Sequence, residues 1–475
     1  MIDHSGDAAN SHSSIRFGFL ASVGIVSGAA LLRIFGALND LWIDEIWSIE
    51  FAQRVKRPWE ILTSIHHDNN HYLNTLSLFL IGSHGNWPGY RIPAIVFGVL
   101  AIVTAGAIGR RRSPACAIIA MLLTGVSYVL VHYSSEARGY SGVVFFCYLS
   151  YYLMDIYLEK PTISGALYFS LAAILGFASH LIYLNCYLAL LAWSAWRLVR
   201  TRVGVKRFAV SMLTCHAFPT AFVGLLYLID IRYMVIGGGN PASLFESYAD
   251  SLQLALGWFQ SGAVRWVECI LAAAVFIAGL GLLFREKSDA WVFFLCATLV
   301  FPIGVAVVRG SQLIYPRYFM VGTCFLLLLL AYELAAIYER VSYGKTICAA
   351  FLTGFFVLNG GNIAALYKDG RGHFSEALRY IATHSKDDVI TIAGDHDFRV
   401  GFVLEFHARE ALWGKEWKYY TLGSWPRQGP EWVICHAVSA EALTDSAGNK
   451  YTLEQSYKSG PLSGLNWRLY RNVSR

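Results

Sequence analysis

The sequence has 475 residues, of which 56% are hydrophobic and only 15% are charged, and its formal net charge is +6. A soluble protein typically carries about 25% charged residues, so this composition excludes an ordinary soluble enzyme of several domains. The arginines and lysines are grouped between apolar runs, which indicates a membrane topology and argues against a nucleic-acid partner.

Eleven apolar segments predict membrane-spanning helices, because a helix of about twenty apolar residues crosses ~30 Å of hydrocarbon with its own backbone satisfied. The predicted spans are 17–38, 91–109, 114–133, 140–158, 162–179, 181–199, 207–229, 264–284, 289–308, 317–338 and 346–366. The apolar segment 71–82 is too short to cross, so we predict a juxtamembrane or half-inserted helix there.

The basic clusters decide the orientation. If segment 71–82 does not cross, Arg110, Arg111 and Arg112 lie inside the cell with the other basic loops, as the positive-inside rule requires. The N-terminus is then cytoplasmic, and an odd number of spans places the C-terminus outside the plasma membrane.

The predicted fold class is therefore an α-helical polytopic membrane protein with about eleven spans and a small C-terminal extracytoplasmic α/β domain. We assign residues 1–366 to the membrane domain, with a first outer loop at 39–90, and residues 367–475 to the α/β domain. In the tail, FSEALRYIATHS predicts a helix, and DDVITIAG, EWVICHA and LNWRLYRN predict strands.

The first outer loop carries an acidic pair, Asp44 and Glu45, between Trp42 and Trp47. Tryptophans favour the headgroup level, so we expect them to hold these carboxylates near lipid, where charge is costly to keep. The alternative is the charged face of a solvated loop helix.

The segment SIHHDNNHYLNTL places His66, His67, Asp68 and His71 ahead of the short helix. Histidine and aspartate are common metal ligands, so a metal site is one interpretation. The other is a polar loop in which Asp68 or Asn70 caps the helix. A polar wall of an active site is compatible with both.

Other polar groups fall on the same predicted side. Glu136 and Arg138 lie in VHYSSEARGY. Charged residues this close to the membrane indicate a functional site, and the alternative is a salt bridge between the two at the end of a span. Arg309 and Arg317 lie in VVRGSQLIYPRYFMV, where arginine can hold phosphate or reach lipid headgroups. His180 ends a span, and Gly237–Gly239 predicts a hinge or loop gate.

Acids and arginines at one bilayer face suit a reaction on a lipid-borne anionic substrate. An arginine would hold the phosphate, and a carboxylate would accept a proton from an attacking hydroxyl.

The order and spacing of these motifs resemble the GT-C membrane glycosyltransferases, specifically the bacterial branch similar to protein O-mannosyltransferases and to the lipid A aminoarabinose transferase. LWIDEIWSIEFA resembles the family's Trp-x-Asp-Glu loop, YSSEARGYSGVVFF its Glu-Ala-Arg-x-Tyr loop and YPRYFMV its late Arg-Tyr motif. DNNHYLNTLSLFLIG, followed by YRIPAIVFGVLAI, resembles its juxtamembrane helix and next span, although Tyr72 and Leu73 replace the usual Pro-Pro.

The resemblance implies a polyprenyl-phosphate sugar donor, hexosyl or pentosyl transfer with inversion at the anomeric carbon, and an extracytoplasmic active site. Asp44 matches the catalytic base, Glu45 its acidic neighbour, and Glu136 the second acidic position. Arg138 matches a phosphate or sugar contact, and Arg317 the arginine near the donor phosphate. The predicted substrate site also includes His71, Asp68, Tyr140 and His180. No metal ligand is assigned, and a divalent metal stays open as a cofactor.

The acceptor can be a glycan, a lipid or a protein, although the tail lacks the repeat domain of eukaryotic protein mannosyltransferases, which argues against carrying over a protein acceptor. Two other functions are considered. A polysaccharide polymerase or ligase would carry a large Arg- and His-rich outer loop between late spans, whereas here the tail is the largest polar outer region. A transporter or flippase would carry ionisable residues near span midpoints and repeated halves.

Overall fold

The structure is a computed structural model that describes residues 5–82, 87–238, 243–258, 263–310, 314–412, 414–436 and 440–474. Side chains are described throughout these ranges except at 5–17, 263, 264, 309 and 410. The chain divides into two compact units: the larger contains Met1–Phe35 and Phe51–Gly361, and the smaller contains Gly36–Glu50 and Asn362–Arg475.

The larger unit is built from helices, and three of them, Ser5–Gly36, Ile43–Arg54 and Gly344–Asp369, also have residues in the smaller unit. The helices are α1 (Ser5–Gly36), α2 (Ile43–Arg54), α3 (Glu60–Thr63), α4 (Tyr72–Ile81), α5 (Trp87–Arg110), α6 (Pro114–Val126), α7 (Tyr128–Tyr133), α8 (Tyr140–Glu159), α9 (Ile163–Ser179), α10 (Tyr183–Arg200), α11 (Val205–Ile229), α12 (Leu244–Leu256), α13 (Ala263–Arg285), α14 (Ala290–Leu295), α15 (Phe301–Arg309), α16 (Met320–Arg340) and α17 (Gly344–Asp369). A π-helical turn, Cys296–Val300, joins α14 to α15, and 3₁₀ helices cover Ile231–Tyr233 and Pro316–Phe319.

Among the described residues, eight helices are long and apolar enough to cross a membrane. They are Gly18–Gly36, Trp87–Arg110, Tyr140–Glu159, Val205–Tyr233, Arg265–Arg285, Ala290–Val308, Pro316–Arg340 and Gly344–His384. The chain is therefore a multi-pass membrane protein, as the sequence predicts.

The predicted number of eleven spans is not confirmed. The other three segments are helical but shorter or more polar: α6, α9 and α10. The predicted span 114–133 is interrupted at Ser127, whose backbone leaves the helical region (φ −53°, ψ 119°) and separates α6 from α7. The predicted short helix at 71–82 is confirmed as α4, which has 10 residues.

One end of the helical unit is held together by ion pairs. Arg111 Nε lies 2.7 Å from Asp155, and its Nη2 lies 2.6 Å from Glu159. Arg112 pairs with Glu286 and its guanidinium stacks 4.2 Å above the ring centroid of Tyr332. These contacts tie the α5–α6 turn to α8 and to the end of α13.

The smaller unit contains a six-stranded mixed sheet in the order β2-β1-β3-β6-β5-β4. The strands are β1 (Val389–Gly394), β2 (Glu416–Tyr420), β3 (Trp432–Cys435), β4 (Ala442–Thr444), β5 (Lys450–Tyr457) and β6 (Trp467–Asn472), and the helices are α18 (Phe374–His384) and α19 (Asp397–Ala411). β1 pairs in parallel with β2 and β3, and the remaining pairs are antiparallel.

The predicted helix at 374–385 and all three predicted strands are present, as α18, β1, β3 and β6. The sequence analysis missed β2, β4, β5 and α19. β2 is a half-exposed edge strand with the sequence EWKYY, so its residues lack the buried apolar run that reveals β1 and β3.

Residues 36–50 belong to the smaller unit, whereas the sequence analysis places them in the membrane domain. The buried Arg371 donates from Nη1 to Gly36 O at 2.9 Å and to Asn39 Oδ1 at 2.6 Å. The backbone N–H of Ser375 donates to Asp40, and His407 Nε2 lies 3.0 Å from Leu41 O. The segment that leads into Asp44 is thus fixed to α18 and α19.

Candidate active site

Three segments of the larger unit bring polar side chains together: the loop 66–71, the loop 134–139 and the 3₁₀ helix Pro316–Phe319. His71 precedes the first turn of α4, and its side chain is 3% exposed. The backbone N–H of Gly139 donates to His71 Nδ1 at 3.1 Å. Because Nδ1 accepts, the neutral ring carries its proton on Nε2.

The Nε2 atom of His71 is buried and has no hydrogen-bond partner among the described residues. Burial lowers the pKa of His71 well below its ordinary value of 6.5, and the charges of His180, Arg138 and Arg317 lower it further. At neutral pH His71 is therefore an uncharged donor surrounded by cationic groups.

Rings from α8 and the end of α9 surround His71. The ring centroids of His71 and His180 are 4.4 Å apart, and those of His180 and Tyr140 are 4.6 Å apart. Tyr133 lies 4.8 Å from Tyr140 by ring centroids. The structure therefore brings together the predicted residues His71, Tyr140 and His180.

The two predicted arginines lie near enough to His71 for their charges to lower its pKa. Arg138 is 4% exposed, donates from Nη2 to Asn69 Oδ1 at 2.8 Å, and stands 5.0 Å from the ring centroid of Tyr140. The guanidinium of Arg317 stacks 4.6 Å from the ring centroid of Tyr315. Arg138 is buried and Arg317 is half-buried, and an arginine side chain stays charged and can bind an anionic ligand through two parallel N–H groups.

Glu136 is fully buried and has a partner that the sequence analysis missed. His132 Nε2 lies 2.9 Å from Glu136 Oε1, and both side chains are 0% exposed. The two residues are four positions apart, which places them on one face of a helical turn. That spacing is the signal that could have revealed His132.

Asp68 does not cap α4, so that alternative is wrong; the N-cap residue is His71, and it makes no side-chain cap bond. Asp68 Oδ1 accepts from the backbone N–H of Gly237 at 3.0 Å and lies 3.0 Å from His67 Nδ1. Partial burial acts to raise the Asp68 pKa, but the hydrogen bonds from His67 and Gly237 outweigh it and lower the pKa.

Asn70 does not cap α4 either. Its amide donates to Ile61 O and Ile65 O, and its carbonyl oxygen accepts from the hydroxyl of Thr75. These bonds fold the 61–70 loop onto α4, which explains why a run of small polar residues precedes the helix.

The loop after α11 is bonded to the histidine segment. Asp230, which is 0% exposed, lies 2.6 Å from His66 Nδ1 and accepts from Tyr72 Oη at 2.5 Å. Asp68 N donates to Val235 O, and Val235 N donates to His66 O. Gly237 and Gly238 follow this bridge, and Gly239 lies outside the described residues.

No group of three or more His, Cys, Asp or Glu side chains with metal-binding geometry occurs in the parts of the chain that the structure describes. His66 and His67 instead contact carboxylates of the protein, Asp230 and Asp68. The side chain of Arg309 lies outside the described residues.

The acidic pair lies in the smaller unit, in the first turn of α2. Glu45 is 0% exposed, and its carboxylate accepts from the backbone N–H of Trp42 at 3.3 Å. Asp44 is half-buried, and its carbonyl oxygen accepts from the hydroxyl of Ser48. The helix N-terminus favours a negative charge at both positions.

Both tryptophans beside the acidic pair, Trp42 and Trp47, contact other parts of the protein. Trp42 is buried, and Trp47 packs edge-on against Phe398 of α19 with ring centroids 5.0 Å apart. Protein contacts therefore help to hold the acidic turn in place.

Neither a protein-family model nor a curated protein sequence matches the chain. Solved structures do match. ArnT from Cupriavidus metallidurans in the apo state aligns with a TM-score of 0.55 at 11% identity, covering 97% of this chain and 99% of that chain. The same protein bound to undecaprenyl phosphate gives a TM-score of 0.54 at 12% identity, covering 94% and 97%.

A third structure is the archaeal oligosaccharyltransferase AglB from Archaeoglobus fulgidus, in complex with an inhibitory peptide and a dolichol-phosphate. It aligns with a TM-score of 0.50 at 10% identity and covers 87% of this chain and 69% of that chain. ArnT, a lipid A aminoarabinose transferase, and AglB are both GT-C fold members, so this chain has the GT-C fold that its motifs resemble.

Proposed function

We propose that the protein is a glycosyltransferase that moves one sugar, a hexose or a pentose, from a polyprenyl-phosphate carrier to an acceptor hydroxyl. The observation that carries this proposal is the cluster of His71, Arg138 and Arg317, in which two cations lie near a buried, neutral imidazole donor. Such a cluster suits a phosphate attached to a membrane-embedded chain.

The fold supports this substrate class. Two of the similar structures hold a polyprenyl-type phosphate, undecaprenyl phosphate in ArnT and a dolichol-phosphate in AglB. Because sequence identity to these proteins is 10–12%, the likeness concerns the fold, and the roles below are argued from this chain's own residues.

Asp44 is the proposed general base. Glu45 is fully buried and bonded to the backbone of its own helix, which makes it a positioning residue, whereas the half-buried Asp44 can meet an acceptor. Asp44 accepts the proton of the acceptor hydroxyl while the oxygen forms a bond to the anomeric carbon. The bond from that carbon to the phosphate oxygen breaks on the opposite face, so the configuration inverts.

The leaving group is the polyprenyl phosphate anion, which needs no proton from a general acid. Arg138 and Arg317 stabilise the charge that develops on it, and His71 Nε2–H donates to a phosphate oxygen. Tyr140, His180 and Glu136 line the sugar side of the donor, and Asp68 fixes the loop that carries His71.

The proposed location is the outer face of the plasma membrane, with the N-terminus in the cytoplasm and the C-terminal domain outside. The arginine-rich turn at 110–112 supports this orientation through the positive-inside rule. Labelling of a cysteine placed in this turn by a membrane-impermeant reagent added from outside the cell would overturn it.

The test is sugar transfer from a panel of radiolabelled polyprenyl-phosphate sugars by membranes that contain the wild type, Asp44→Asn or the control Glu50→Gln. Glu50 lies on the same helix and pairs with Arg409. We expect Asp44→Asn to lose about 10²–10⁴ in turnover while still binding the donor, and Glu50→Gln to stay near wild type.

Turnover retained in Asp44→Asn would reject the base assignment while leaving the transferase proposal in place. A wild type that transfers from no donor in the panel would instead reject the transferase proposal and favour a lipid-linked sugar transporter.

A further inference from the structure

We propose that a groove between α1, α5 and α6 binds one acidic phospholipid, with its headgroup phosphate at Arg110 and an acyl chain along the groove. The groove encloses about 410 Å³. Its walls include Val26 and Ser22 of α1, Val103 of α5 and Met121 of α6, and Arg110 closes one end.

The charge at the end of the groove is available to a ligand. Arg111 and Arg112, the next two residues, are engaged by Asp155, Glu159 and Glu286. Arg110 is exposed and makes no hydrogen bond or ion pair within the described part of the chain. A cation without a protein partner at the mouth of an apolar groove is complementary to an acidic lipid headgroup.

The groove lies on the exposed surface of the helices, and a glycine in its wall leaves room within it. Val23 and Val103, which line it, are 47% and 48% exposed on helices that qualify as membrane spans. Gly106 forms part of the floor, and a Cβ there would lie 2.7 Å from Met121 Cγ. The glycine therefore lets Met121 of α6 pack closely against α5.

The groove is separate from the proposed donor site. Gly98 of α5 packs against Ser134, two residues before Glu136, so the donor-site loop meets the helix at that level. Arg110 lies twelve residues further along the helix, which corresponds to about 18 Å. A phosphate at Arg110 is thus remote from the reacting bond, and the bound lipid has a structural role.

Native mass spectrometry of the full-length protein, titrated with phosphatidylglycerol or phosphatidylcholine, tests the proposal. We expect one tightly retained phosphatidylglycerol and weaker binding of phosphatidylcholine. Arg110→Gln should weaken phosphatidylglycerol binding about fivefold, as removal of one cation near a headgroup predicts. Val103→Trp keeps the charge but fills the groove, and should abolish retention.

Arg207→Gln is the matched control, because Arg207 is also an exposed arginine at the end of a span, in the first turn of α11, and does not line the groove. We expect it to bind like the wild type. An equal loss in Arg207→Gln would show surface adsorption only and overturn the proposal. Unchanged binding in Arg110→Gln or Val103→Trp would also overturn it.

Discussion

The backbone N–H of Gly139 donates to Nδ1 of His71 across 3.1 Å, and this bond determines which ring nitrogen carries the proton. Any side chain at position 139 would collide with Ser179 O and with His71 Cβ, so only glycine permits the approach. The proton is left on Nε2, which is buried without a partner among the described residues. In the proposed mechanism this atom donates to the donor phosphate.

Two substitutions of His71 separate its donor role from its bulk. The side-chain amide of His71→Gln can place an N–H near the original Nε2, whereas that of His71→Asn reaches only the Nδ1 position. A hydrogen bond to a charged group contributes about 1.5–3 kcal/mol, so we expect His71→Asn to weaken donor binding at least ~10-fold. His71→Gln should remain within about threefold, as measured by donor KM or equilibrium binding. Equal losses in both variants would contradict the donor role.

The burial of His71 also predicts a pH-dependent stability. Its pKa in the folded protein is well below the 6.5 of an exposed histidine, so between these two values the unfolded chain binds more protons than the folded one. Stability therefore rises with pH across this window and is lost on acidification below about 6.5.

The measurement is thermal unfolding of the purified protein from pH 7.5 to pH 5. We expect the melting temperature of the wild type, relative to His71→Gln, to fall as the pH drops. His384→Gln, on the exposed face of α18, is the matched histidine control. A difference between wild type and His71→Gln that is constant with pH would show that His71 is already protonated or solvent-accessible.

His132 is predicted to act on the reaction through Glu136. Both side chains are fully buried, and His132 Nε2 lies 2.9 Å from Glu136 Oε1. Each residue therefore gives the other a hydrogen-bond partner away from water. We expect His132→Gln and Glu136→Gln each to lower kcat/KM more than tenfold. The kcat/KM of the double variant should be no lower than that of Glu136→Gln alone. Such non-additivity is expected for two residues of one hydrogen-bond network. Additive losses would show that the two side chains act independently.

The sequence was sufficient to predict the features that depend on local pattern. Apolar runs identify the long spans, and the buried segments VITIAG and WVIC identify β1 and β3. His71, Tyr140 and His180 are grouped, and each lies at an end of a predicted helix: Tyr140 and His180 at span ends, and His71 at the start of the short juxtamembrane helix.

Contacts between distant parts of the chain could not be predicted in this way. Asp230 is bonded to Tyr72, 158 residues earlier, and nothing local to either residue reveals the pairing. The assignment of residues 36–50 to the smaller unit depends likewise on Arg371, more than 330 residues later. The protein contacts of the tryptophans beside Asp44 could not be predicted either, because tryptophan occurs both at lipid surfaces and in packed protein, and composition does not distinguish the two.

Arg371 provides the last prediction, because its side chain determines where the segment before Asp44 lies. It is 0% exposed, and its Nη1 donates to both Gly36 O and Asn39 Oδ1. Arg371→Met fits an apolar side chain into the space but leaves these acceptors without that donor, which costs about 1–3 kcal/mol each. We expect a lower melting temperature and a loss of turnover larger than the loss of donor binding, since Asp44 is displaced while His71 and Arg138 are not. Arg379→Met, an exposed arginine on α18, is the control and should leave both unchanged. Unaltered turnover in Arg371→Met would mean that the position of Asp44 does not depend on this anchor.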